Sequence, residues 1–147
     1  MSEGWLIQKN IVIIGGTGGM GLSAAKAFVA QGARVVVVGR NSQTCDAAQQ
    51  QLGEKGVAIC ADAIDPSAAE NAINICVQQF GTFHGLYHVA GGSGRKMGDG
   101  PLHELTLAGW NKTFELNLTS LMLSNQAAIK WLLKHKTGGS ILNMSSV

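Results

Sequence analysis

Short β-branched runs separated by helix-length segments constrain this chain more than any other feature. Residues 11–14 (Ile-Val-Ile-Ile) and 35–38 (four valines) are apolar at consecutive positions, the pattern of strands covered on both faces. Residues 57–61, 86–90 and 140–144 read as three further strands. Between the first two, residues 20–31 place Leu22, Ala25, Phe28 and Val29 on one helical face, with Gly32 as the stop. Asn41 or Ser42 caps a second helix running to about residue 52, with Gly53 just beyond. Asp65-Pro66 opens a third helix through about Phe80, since proline suits a first helical turn. A long helix is expected over about residues 107–135, ending before Gly138-Gly139. Strands alternating with helices require βαβ crossovers, so the expected fold is α/β, a doubly wound parallel sheet with helices on both faces.

A length of 147 residues suits a single domain, 1–147, large enough to bury a core. With 46% hydrophobic and 14% charged residues the chain is not disordered. A formal charge of +2 supplies no basic field, so no nucleic-acid partner is expected. Cys45, Cys60 and Cys76 contain no C-x-x-C pair, which suggests neither a disulfide framework nor a zinc site. His84, His88, His103 and His135 are scattered and read as structural or surface residues, with no metal site. No run approaches the roughly eighteen apolar residues of a membrane span, and residues 1–10 do not read as a signal peptide. A cytoplasmic, reducing setting is the expectation.

Directly after the first strand stands Gly15-Gly16-Thr17-Gly18-Gly19-Met20-Gly21, opening a helix. Glycines let the backbone turn tightly and approach an anion, and the free N–H groups and dipole of a helix N-terminus attract negative charge. That context fits the pyrophosphate of a dinucleotide. The alternative is a glycine-rich turn with no ligand. The glycines also fit three registers, Gly16/Gly18/Gly21, Gly15/Gly18/Gly21 and Gly15/Gly19/Gly21, and the loop alone does not choose between them. At the end of the second strand, where an acidic residue would hold the ribose 2′-hydroxyl of NAD, stand Gly39, Arg40 and Asn41. An arginine–phosphate contact is worth about 1.5–3 kcal/mol, so NADP (NADPH) is favoured over NAD.

These residues resemble the short-chain dehydrogenase/reductase family. Gly15, Gly19 and Gly21 look like its T-G-x-x-x-G-x-G loop, with Ile14 in the threonine position. Asp62-Ala63-Ile64-Asp65 is similar to its D-V-x-D segment, which implies that Asp62 contacts the adenine. His88-Val89-Ala90-Gly91 takes the place of its N-N-A-G motif, and Asn117 matches the asparagine of its long central helix. Residues 138–147 (GGSILNMSSV) look like the strand carrying the catalytic serine, in which Ser146 fits the register. The resemblance implies a Rossmann-type sheet of about five strands ordered 3-2-1-4-5 and a nicotinamide dinucleotide partner. It implies hydride transfer between that cofactor and a small alcohol or carbonyl substrate. The cofactor-binding residues it implies are Gly15, Thr17, Gly19, Met20, Gly21, Arg40, Asn41, Asp62, Ala63, Ala90 and Gly91, and the catalytic ones are Ser146 and Asn117.

Three departures stand out. Ile14 and Val89 each replace a polar residue, and a concerted exchange of a polar for an apolar contact between them is expected. The family's Y-x-x-x-K, due about a dozen residues after Ser146, is not reached, and Tyr87 is the only tyrosine. The domain is therefore expected to be incomplete after its fifth strand, and turnover by these 147 residues very weak or absent. The fifth strand would then be a free edge, and the long apolar helix an exposed face, favouring a homo-oligomer. Two other functions are compatible with the residues: a noncatalytic NADP-binding or sensor module, and an interaction protein with a vestigial nucleotide loop. Residues 92–100 either border a substrate or form a flexible linker.

Overall fold

A computed structural model describes residues 4–145. Five parallel strands, β1 (Asn10–Ile14), β2 (Arg34–Gly39), β3 (Gly56–Cys60), β4 (Gly85–His88) and β5 (Ser140–Asn143), form one sheet in the order β3-β2-β1-β4-β5. Helices α1 (Gly19–Ala30) and α2 (Ser42–Leu52) cover one face, and α3 (Ala68–Phe80) and α5 (Ser120–His135) the other. Helix α4 (Leu107–Phe114) leads into α5 through a π-helical turn, Glu115–Thr119. Fold class and strand order are those expected.

The pleat explains the unbroken apolar runs. Val12, Ile14, Val36, Val38 and Leu86 pack against Ala69, Ala72, Ile73 and Cys76 of α3 and Ala128 of α5. Their sequence neighbours Ile13, Val35, Val37 and Tyr87 pack against Ala25 of α1 and Ala48 and Leu52 of α2. Each such large side chain contributes about 1.5–3 kcal/mol by leaving water.

Some boundaries move for local reasons. Helix α3 begins at Ala68, not at Asp65-Pro66, because the Asp65 carboxylate accepts from both the amide and the hydroxyl of Ser67 at 2.8 Å and holds a turn there. The single long helix is interrupted where side chains compete for its carbonyls. Ser120 Oγ donates to Leu116 O (2.7 Å) and Asn117 Nδ2 to Thr113 O (2.7 Å), and the widened turn lies between them.

The expected Ile14–Val89 pair does not form. Ile14 lies in the α3/α5 layer, whereas Val89 packs into the α1/α2 layer on the opposite face. They meet only through the backbone, Val89 N–H donating to Ile14 O at 2.9 Å. The register partner of Ile14 is His88, so a one-residue offset puts the two apolar side chains on different faces.

His88 is buried, with Nδ1 at 2.8 Å from Ser124 Oγ and Nε2 at 3.4 Å from Ser120 Oγ. Burial holds its pKa below the ordinary histidine value, only partly offset by a hydrogen bond to the Ala90 backbone. His84 accepts the Asn10 N–H on Nδ1 (3.0 Å), and burial, then Lys9 and Arg34, lower it too. With folded values below the unfolded one, the unfolded chain binds protons first as the pH falls. Stability is therefore complete above the unfolded value of about 6.5 and declines as the pH drops from there through the folded values. Urea midpoints should fall between about pH 7.5 and pH 5, with a shallower slope in His88→Asn. Parallel slopes for the two proteins would show that His88 does not titrate in this range.

Candidate functional site

The strand order reverses direction between β1 and β4, and a cleft of about 260 Å³ opens there beyond the carboxyl ends of the strands. The β1–α1 loop forms its floor. Gly15 has φ +87° and sits so close to β4's continuation that a Cβ would press on Ala90 N and Cα at 2.7 and 2.8 Å. A Cβ on Gly21 would strike the Gly15 carbonyl oxygen, so this glycine lets α1 start directly against β1. Beside Gly18 and Gly19, by contrast, a Cβ would meet open space. Among the described residues no side chain caps the N-terminus of α1, and its first turn holds no acidic residue, which leaves a positive dipole end facing the cleft.

The β2 side of the cleft is shaped by Thr17. Its side chain is buried against Gly39, where any Cβ would collide with Thr17 Oγ1, and it lies 3.2 Å from Thr44 Oγ1 of α2. A side chain at position 39, acidic or otherwise, is thus excluded unless Thr17 moves. Arg40 follows with its guanidinium 3.9 Å from the Asp62 carboxylate, the two side chains 63% and 40% exposed. Solvent screening makes such a pair weak and Arg40 available.

On the β4 side, Ala90 and Gly91 continue past the strand, and Asn117 stands behind them on the π turn. Its Oδ1 accepts from Gly92 N (3.1 Å) and its Nδ2 donates to Gly92 O (2.5 Å), a two-point clamp on the backbone. The segment after Gly92 is held too: Gly94 N donates to Thr113 Oγ1 and Thr113 Oγ1 to Asp99 Oδ2, each at 2.7 Å. That segment is a fastened loop containing a short 3₁₀ turn, Arg95–Met97, and the linker alternative is set aside.

Gly15, Thr17, Arg40, Asp62, Ala63, Ala90 and Gly91 therefore converge on one cleft. Gly19 and Gly21 shape the loop without lining the cleft, Met20 is exposed beside it, and Asn41 spends its Oδ1 on Thr44 N (3.1 Å) as the cap of α2. Asn117 acts on the cleft through Gly92. Ser146 lies outside the described residues. Gly18 and Gly39, raised in the sequence as a loop register and as the ribose position, line the cleft as well, and sequence reasoning missed Ile64, Val89, Leu116 and Ser120 as lining residues. Ser120 left a usable signal, since Ser120 and Ser124 are spaced i, i+4 on an otherwise apolar stretch and mark a buried polar partner, here His88. Among the described residues no group of His, Cys, Asp and Glu is placed to hold a metal ion, and no helix is long and apolar enough to cross a membrane.

The sequence profile of the short chain dehydrogenase family matches residues 9–147. The chain belongs to the short chain dehydrogenase family. It is 33% identical over 145 residues to the 2,5-dichloro-2,5-cyclohexadiene-1,4-diol dehydrogenase LinX of Sphingobium indicum, covering 97% of this chain and 56% of that protein. It is 31% identical to a 3-alpha-(or 20-beta)-hydroxysteroid dehydrogenase of Mycobacterium tuberculosis, covering 99% of this chain and 54% of the relative. A crystal structure of a short chain dehydrogenase from Bacillus anthracis superposes with a TM-score of 0.85 at 26% identity, over 95% of this chain and 56% of that one. A short-chain type dehydrogenase/reductase from Mycobacterium ulcerans gives 0.85 at 27%, over 96% and 52%. The chain thus spans about half the length of the family members it matches.

Proposed function

We propose that this chain is the NADP-binding part of an oxidoreductase that moves a hydride between the nicotinamide and a small alcohol or carbonyl substrate. The observation that carries the reading is the closure of position 39 by Thr17 next to an exposed Arg40. It removes the place for a ribose-binding carboxylate and leaves a guanidinium for a 2′-phosphate. The cradle fits the rest of a dinucleotide, with open space at Gly18 and Gly19 and an uncapped α1 dipole end for the diphosphate. When bound, the nicotinamide supplies or accepts the hydride.

The chain's own residues have separate tasks. Arg40 neutralises the 2′-phosphate, and Asp62 and Ala63 border the adenine. Ala90 and Gly91, with Gly92 clamped by Asn117, hold the wall of the cleft beside Ser120. Ser146 would orient the substrate oxygen. Tyr87, the only tyrosine, is buried in the α1/α2 layer and cannot deliver a proton to the cleft. The 147 residues are thus expected to bind the nucleotide without turnover, and a positioned acid of suitable pKa must come from elsewhere. The exposed Trp110, Phe114 and Leu118 on one stretch of helix favour self-association as a homo-oligomer.

Calorimetric titration tests the reading. NADPH should bind about tenfold to a hundredfold more tightly than NADH, and Arg40→Gln should remove most of that preference by weakening NADPH alone. Equal affinities in the unaltered protein would reject the NADP assignment, and no binding of either nucleotide would reject the function.

A further inference from the structure

Two thiols lie behind the Arg40 end of the cleft. Cys60 is the last residue of β3, and its register partner is Gly39. Its Sγ lies 3.4 Å from the Arg40 carbonyl oxygen. Cys45 sits in the first part of α2, with Sγ 3.5 Å from both Gly39 O and Ile59 O. By strand alternation the Cys60 side chain shares the face of Ala58, which packs into the α1/α2 layer where Ala48 and Leu52 of α2 are buried. Both thiols thus lie over the same pair of strand ends, Cys45 Sγ against the carbonyl of Ile59, the residue before Cys60, and burial first, then Cys60, push the Cys45 thiol up. Cys45 is buried and Cys60 exposed, so an oxidant can reach one thiol with the other waiting behind it.

We propose that Cys45 and Cys60 form a redox-sensitive dithiol whose closure to a disulfide weakens dinucleotide binding at the Arg40 end of the cleft. The coupling to the nucleotide rests on the function proposed above; the dithiol itself does not. The oxidant is a small disulfide such as oxidised glutathione. The Cys60 thiolate attacks it, the glutathione S–S bond breaks, one glutathione thiolate leaves and a mixed disulfide remains. Cys45 then loses its proton to solvent and attacks the Cys60 sulfur, expelling the second glutathione. Two electrons have passed from the two protein thiols to one glutathione disulfide. Because the Cys45 thiol is held up in pKa, the second step should accelerate as the pH rises. Closure removes both S–H donors from the Gly39, Arg40 and Ile59 carbonyls and shifts the backbone that aims the guanidinium.

Cys76 is an internal control. It is buried in the α3/α5 layer, and burial pushes it up to about 12, so it should stay a thiol. The 147-residue protein is incubated with oxidised glutathione, its peptides are mapped by mass spectrometry, and NADPH is titrated before, after, and after dithiothreitol. The expected result is a 45–60 crosslink with loss of two hydrogens and a roughly tenfold weaker NADPH affinity, that of one charge-assisted contact, restored by reductant. Cys60→Ser should bind NADPH like the reduced protein and ignore the oxidant. Absence of the 45–60 crosslink overturns the proposal, as does a crosslinked protein that binds NADPH like the reduced one. A crosslink formed in a protein whose reduced form ignores NADPH upholds the dithiol, and it is then the nucleotide reading that fails.

Discussion

Gly21→Ala is expected to weaken NADPH binding more than a hundredfold and to destabilise the fold by about 1–3 kcal/mol, the cost of overpacking a rigid contact. The added methyl would run into the Gly15 carbonyl oxygen, with Gly15 C at 2.8 Å and Gly16 Cα at 2.9 Å. All three are backbone atoms of the turn that leaves β1, so no side-chain rotation relieves the clash. Relief requires α1 to back away, which carries its N-terminal amides off the cleft. Gly18→Ala separates the two effects, because its Cβ would meet nothing within 4 Å and its φ of −162° is extended backbone. That variant should keep the wild-type urea midpoint and lose nucleotide affinity, if a diphosphate rests over the loop. A wild-type midpoint for Gly21→Ala would refute the close helix–strand contact.

At the far end of the sheet, Asn10→Ala should cost about 3 kcal/mol while leaving NADPH affinity unchanged, since it removes a buried side chain that serves several half-buried partners at once. Asn10 is fully buried; its Nδ2 donates to Thr82 O (2.8 Å) and Phe80 O (3.2 Å), and its Oδ1 accepts from Arg34 Nε (2.9 Å). One side chain thus ties the start of β1 to β2 and to the turn between α3 and β4. Arg34 keeps a contact of its own, Nη2 to Phe80 O at 3.1 Å, and lies over the Phe80 ring. Truncation takes one partner each from the guanidinium and the Phe80 carbonyl, which keep one another, and leaves the Thr82 carbonyl only the Cys76 thiol, without touching the cleft at the opposite strand ends. Urea unfolding and NADPH titration of the same variant check both halves. An unchanged midpoint would mean that water replaces Asn10 freely.

Much of this molecule was legible before any coordinates. Consecutive valines in 35–38 could belong only to a strand covered on both faces, and Asn41, Gly32 and Gly53 punctuated helices where caps and stops are needed. The glycine loop announced a tight turn into a helix, and its place after the first strand located the cleft. These features are local, because helix period, strand period and end chemistry are all set within a few residues.

Other features became visible only in the folded chain. Thr17 closes position 39 by meeting a strand end remote in sequence, and Cys45 comes against the Ile59 carbonyl beside Cys60 across the α2–β3 packing. His88 sits between two serines of α5, while the π turn that sets Asn117 against Gly92 interrupts what reads as one helix. Ile14 and Val89 part company because the pleat assigns them to opposite layers. Local sequence determined most of the elements and, through their alternation, a parallel sheet, while the strand order followed from the family resemblance. Which side chains face one another across the cleft was decided by register and helix packing, because those contacts join segments that meet only after the sheet has assembled.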